Sequence, residues 1–208
     1  MSTGSENQAK LYAAYARIAH QLGYEYQTYP FDLLSPIDDS KKGPLLQASF
    51  AADPNFSAPL KYNKPVWICY ADATNLNQFD FLVGQYGTYY VGDKQPMQPL
   101  QAIRTNHIVT LARSIYSTTG QIVDTVVTYA ENLPVFMQYN REDIQKPAGN
   151  FGSQIGRAIT HWTTFIPCPI GTIKQDDLMT DEDGISYIID APDFTNMGYV
   201  CHVRLATI

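Results

Sequence analysis

Asp176, Asp177, Asp181, Glu182 and Asp183 form the densest group of side chains in this sequence that could do chemistry. A calcium loop needs oxygen donors at alternate positions ahead of a glycine and a glutamate at its twelfth position. Met179 occupies the first of those positions and no Glu closes the loop, so the cluster reads as the acidic flank of a hairpin. Paired carboxylates for glycoside hydrolysis require a separation in space that spacing along the chain does not set, and residue type alone supports that reaction. The four histidines, His20, His107, His161 and His202, show neither HxH nor HExxH spacing, and each sits in a periodic segment where a structural histidine is expected. Gly149 to Arg157 carries glycines suggestive of a phosphate loop, but it lacks the GK[ST] ending and the GxGxxG pattern. Ser153 is not in a GxSxG elbow either, because Gly152 directly precedes it; a flexible loop is expected there. Cys69, Cys168 and Cys201 lie in apolar strand contexts without CxxC spacing, which points to reduced, buried thiols in an intracellular chain. No catalytic residue, metal site or cofactor is expected, and the chain does not read as an enzyme.

The elements that position these residues are mostly strands. From Trp162 to Ala206 the chain reads as an antiparallel meander, with alternation at Trp162, Thr164 and Ile166, an aromatic and β-branched run from Ile185 to Ile189, and alternation again from Tyr199 to Leu205. Asp183-Gly184 and Asn196-Met197-Gly198 mark the reversals, and Pro192 is expected to close the middle strand. Residues 65–104 repeat this plan, pairing Trp67 with Trp162, Gly87 with Gly184 and Tyr90 with Tyr187, so a tandem duplication is expected.

At 208 residues the chain has room for two small barrels. Only 16% of residues are charged while 12% are aromatic, fifteen of them Tyr, so much aromatic surface must be buried, with lasting partners as one means. A net charge of −6 lacks the Lys/Arg field by which nucleic-acid binders release counterions from phosphates. No apolar run reaches membrane-spanning length, and the basic and apolar regions of a signal peptide are not seen at MSTGSENQAK.

In chain order, Ser5 and Gln8 suggest a capping box, and Leu11, Tyr15, Ile18 and Leu22 fall on one face of a helix that Gly23 ends. That stripe can dock on its own barrels or on another subunit. Residues 24–43 lack a period and read as an extended arm, 51–64 and 141–161 as loops, and 114–132 as a connector in which Ile122, Val126 and Val127 suit a strand or a short helix. The expected fold is mainly β: a helix and arm over 1–34, a first antiparallel barrel or sandwich over 35–113, a connector over 114–132, and a second barrel over 133–208.

Leu133-Pro134, the Trp162 to Pro167 strand, and Leu178 to Gly184 followed by Tyr187 and Gly198-Tyr199 form a pattern that resembles the neck and tail-connector proteins of tailed bacteriophages. Tyr89 to Leu100, Tyr12 to Tyr15 and Leu33 to Pro36 are also similar to phage structural proteins. Two barrel units and an N-terminal helix depart from single-barrel head-closure proteins. The resemblance implies a virion structural protein, synthesised in the host bacterial cytoplasm, forming a homo-oligomeric ring with portal, adaptor or tail proteins as partners. Genomic DNA would pass through without sequence-specific binding, and no membrane would be involved. A tail, baseplate or spike component is the alternative, and a carbohydrate-binding or hydrolytic accessory a second. The expected interaction residues are Leu11, Tyr15, Ile18 and Leu22 on the helix and Asp176, Asp177, Asp181, Glu182 and Asp183 on the acidic hairpin, which would face the DNA passage.

Overall fold

The computed structural model describes residues 3–52, 65–116, 122–140 and 161–206. Of the expected loops at 51–64 and 141–161, residues 53–64 and 141–160, with the glycine-rich stretch 149–157, lie outside the described residues, whereas Ala51, Ala52 and His161 belong to strands. Helix α1 (Thr3–Leu22) leads into β1 (Tyr24–Tyr29), β2 (Leu45–Ala52), β3 (Val66–Ala71), β4 (Phe81–Gly84), β5 (Gly87–Asp93) and β6 (Leu100–Arg104). These six close into an antiparallel barrel in the order β1-β2-β3-β6-β5-β4. Next come β7 (His107–Tyr116), β8 (Ile122–Asn140), β9 (His161–Ile166), β10 (Leu178–Asp181), β11 (Ser186–Thr195) and β12 (Gly198–Leu205). They close in the order β7-β8-β9-β12-β11-β10, which is the first order with every number raised by six. The mainly β, two-barrel architecture behind one N-terminal helix is therefore present.

The repetition extends to register. Trp67 lies opposite Ala102 and Trp162 opposite Val203, and each tryptophan meets a tyrosine of its own barrel edge-on, Tyr89 at 6.4 Å and Tyr187 at 5.2 Å. The strand after the β4–β5 turn bulges between Val91 and Asp93, and its counterpart bulges between Ile189 and Ala191. Such a bulge bends and twists a strand, which helps a small sheet close. Two of the expected pairings are displaced by one residue. Tyr187 faces Met179 as Tyr89 faces Leu82, so its counterpart is Tyr89, not Tyr90. Gly184 lies in a turn one residue longer than Gln85-Tyr86, and Ile185 takes the place of Gly87.

The boundaries also differ from the expected ones. Tyr24–Tyr29 is no arm: it pairs with both β2 and β4 and completes the first barrel. The strand from His107 belongs to the second barrel, and the supposed connector at 114–132 is largely β7 and β8 of that barrel. Local sequence could not assign these segments because their partners are remote in the chain. Pro192 does not end β11, which runs on to Thr195 paired with β12. β10 accompanies β11 only as far as Ile188, so Pro192 sits where one side of the strand is an edge and a missing N–H is tolerated. Ser5 lies inside the first turn of α1.

Alternation divides the side chains of barrel one between two cores. Leu82, Tyr89, Val91 and Ala102 fill its interior, whereas Phe81, Tyr90 and Ile103 point outward into a cluster that includes Val109, Leu133 and Tyr199 of barrel two. Polar contacts close the same seam. The Asn106 side chain donates to the Met137 carbonyl at 2.9 Å and accepts from the Met137 amide at 2.7 Å. The Tyr90 hydroxyl donates to the Met197 carbonyl, and the Gln78 amide to that of Asn196. The segment between β1 and β2 bridges both barrels, with Phe31 and Leu33 against the shared cluster and the Leu33 carbonyl accepting from the Glu131 amide.

Candidate interaction surfaces

The helix lies on its own chain. Tyr12 and Ala19 are its buried residues, set against the β2–β3 side of barrel one, with Tyr15 edge-on to Tyr70 at 5.4 Å. The Gln8 side chain accepts from the Met97 amide, tying the first half of the helix to the β5–β6 loop. The buried stripe is thus turned by about one residue from the expected Leu11, Tyr15, Ile18 and Leu22. Leu11, Tyr15 and Ile18 are half-buried at its margins, and Leu22 is 71% exposed. Gly23 permits this docking, because a Cβ there would meet the carbonyl oxygens of Ala19 and Ala48 at 2.5 Å.

The acidic cluster does not act as one surface. Asp177 is 1% exposed and receives Arg113 Nε at 2.6 Å, Arg113 Nη2 at 2.7 Å, the Tyr129 hydroxyl at 2.8 Å and the Lys174 amide at 2.8 Å. This two-pronged ion pair belongs to the interior, which corrects its expected place on the hairpin surface. Asp181 organises the β10–β11 turn by accepting from the amides of Asp183 and Ile185, and its other oxygen takes the Tyr187 hydroxyl. Burial, then the Asp181 carboxylate, push the Tyr187 phenol up to about 12. Glu182 accepts from the Ile108 amide at 3.0 Å and contacts His107 Nδ1 at 3.0 Å. Its partial burial pushes the carboxyl up, but its own amide, that of Ile108 and His107 together hold it below the usual range. Asp176 and Asp183 remain exposed.

Sequence reasoning missed two features. One is a cavity of about 270 Å³ at the end of barrel one where β1 begins and β4 turns into β5, with Leu22, Tyr24, Phe50, Trp67, Tyr86 and Tyr89 in its lining. Phe50 stacks on Tyr89 at 3.8 Å, and Tyr24 meets Tyr86 edge-on at 4.5 Å across the rim. Its signal was the number of aromatics on strands that later prove adjacent. The other is the far end of β7 and β8, where Val126 and Val127 are exposed. The run Ile122 to Thr128, with its β-branched residues and no Lys or Pro, carried that signal.

Burial lifts the Cys69 and Cys201 thiols to about 12 and the Cys168 thiol higher still, so none is poised as a nucleophile. Among the described residues no three His, Cys, Asp or Glu side chains are placed to hold a metal, and no helix is long and apolar enough to cross a membrane. No family model, curated protein or solved structure matches this chain.

Proposed function

We propose that this chain is a structural protein of a tailed-phage virion, assembling as a ring at the neck or head-to-tail connector through which the genome passes. The observation that carries this reading is the aromatic mouth of barrel one. Leu22, Tyr24 and Tyr86 stand exposed around a cavity lined by aromatic rings, and such tyrosine-rich surfaces, apolar in the ring and polar at the hydroxyl, are enriched at contacts with other macromolecules. The strongest polar constellations, Asp177 with Arg113 and Asp181 with its turn, are used to hold the fold, which leaves surfaces as the place for function. A net charge of −6 suits a DNA conduit, since a basic lining would bind the duplex through counterion release and slow its exit.

The test is a phage carrying a disrupted copy of this gene. Filled heads and finished tails that fail to join are expected. Normal joined particles would sink the neck assignment, and defective tails with normal necks would favour the tail, baseplate or spike alternative. The aromatic cavity also gives a carbohydrate-binding accessory one supporting observation. Among the described residues its lining contains no carboxylate, so these residues supply no acid–base pair for hydrolysis.

A further inference from the structure

The two longest strands outrun their barrel. β10 accompanies β7 from Val109 to Ala112, and β9 accompanies β8 from Phe136 to Asn140. Among the described residues, 113–116 and 122–128 therefore continue as a two-stranded ribbon paired only with itself. Val127 stands opposite Arg113 and Val126 opposite Ser114 in regular register, so the two valines point to opposite faces. They are 45% and 52% exposed, so the barrel covers neither valine.

Such a ribbon is incomplete by itself. Two strands alone are marginal in water, and each open edge presents a row of unpaired N–H and C=O groups that is a template for another strand. Proteins guard such edges with Lys, Pro or bulges. Residues 113–128 contain neither Lys nor Pro, and among the described residues the ribbon's register shifts only between Ser114 and Tyr116; its charges are Arg113 and Asp124, and Arg113 is held by Asp177. Among the described residues the other overhanging hairpin end, at Asn196-Met197, is already covered by barrel one.

The occupant follows from the closure of both sheets. A closed barrel has no edge along its paired length, and the β11 edge beyond Ile188 carries Pro192 and Asp193, so among the described residues what one copy offers another for strand addition is the ribbon itself. A two-fold pair would satisfy one edge per ribbon and leave the other open. Pairing the β7 edge of each copy with the β8 edge of the next satisfies both, keeps every neighbour antiparallel, and ends without an edge when the rotation closes. Taking the chain to assemble with copies of itself, as the reading above does, we infer that ribbons of successive copies join edge to edge, β7 to β8, into a closed sheet within the homo-oligomer.

The full-length chain and its Val126→Lys/Val127→Lys double variant are compared by light scattering and amide exchange, with Ile170→Lys as a control at another exposed apolar residue. The wild type and the control should form a discrete species of more than two copies, with amides 122–128 exchanging at least about tenfold more slowly than in the double variant. The double variant should be a folded monomer, judged by an unchanged near-ultraviolet tryptophan signal. A double variant that still assembles overturns the ribbon contact while leaving the ring reading standing. A wild type that stops at two copies overturns the closed sheet, and a monomeric wild type overturns strand addition, whereas the particle test above decides the virion reading by itself.

Discussion

Asp80 and Asp177 occupy the same place in the two barrels. Each stands just before the barrel's fourth strand, follows a residue with positive φ (Phe79 at 72°, Asp176 at 66°), and accepts from the amide three residues earlier. Their charges are managed differently. Asp177 faces the Arg113 guanidinium, whereas Asp80 has the Asn77 and Phe31 amides and, among the described residues, no cation in hydrogen-bond contact.

Removing one partner of a buried pair strands the other, so Asp177→Asn is expected to cost about 3–5 kcal/mol. Asp80→Asn loses one amide partner and should cost about 1–3 kcal/mol. Urea midpoints at neutral pH measure both, and equal losses would contradict the distinction.

The same aspartate gives a pH signature. Burial, outweighing the Asn77 and Phe31 amides, raises the Asp80 carboxyl above its usual range. A raised folded pKa means stability that is fully present below the unfolded value, about 3.9, and is lost as pH rises through the folded value. Relative to Asp80→Asn, the wild type should therefore weaken from about pH 4 upward. A difference independent of pH would overturn the assignment.

Gly184 and Gly198 separate conformational strain from crowding. Both have positive φ, 78° and 98°, but a Cβ on Gly184 meets nothing within 4 Å while one on Gly198 meets the Ile166 carbonyl at 2.5 Å. Gly184→Val should cost about 1–3 kcal/mol through backbone strain alone, and Gly184→Asn far less. Gly198→Ala should cost more than Gly184→Ala. Thermal melts of the four variants decide this ordering.

Truncation distinguishes the helix from the strand behind it. Deleting residues 1–22 removes the cover over the β2–β3 side but leaves six strands, so a folded, less stable protein is expected. Deleting 1–34 removes β1 and opens the first barrel, so aggregation is expected. Soluble 35–208 with native strand content would show that β1 is dispensable.

Because Phe81, Tyr90 and Ile103 share one cluster with the core of barrel two, the barrels should unfold together. Calorimetry should give one transition whose calorimetric and van't Hoff enthalpies agree. Two resolved transitions would mean that the shared cluster couples them weakly.

The sequence disclosed what short range determines. Trp67 and Trp162 are equivalent because each opens a β-branched or polar strand in the same order of elements, and the Asp183-Gly184 turn stands where positive φ is needed. The fold class was legible for that reason. The pairing of Tyr90 with Tyr187 slipped because one extra turn residue shifts everything after it. Tyr24–Tyr29 was read as an arm and residues 122–132 of β8 as a connector, outside either barrel, because closure is fixed by distant partners. Asp177 looked like surface because its arginine lies 64 residues earlier. The aromatic mouth is assembled from β1, β2, β3 and β5 and has no linear signature.

The repeated register also bears on how the chain avoids polymerising through its own seam. The face of barrel one that buries Phe81, Tyr90 and Ile103 corresponds in barrel two to Leu178, Ile188 and Arg204. There an arginine stands in place of Ile103, and its Nε is bound to Asp190 at 2.8 Å on a partly solvated surface. Had that face stayed apolar, a third barrel could dock on the second as the second docks on the first, and chains would string together without limit. Burying the Arg204–Asp190 pair under a third barrel would cost the desolvation of both charges, so this face disfavours repeating the contact that joins the first two.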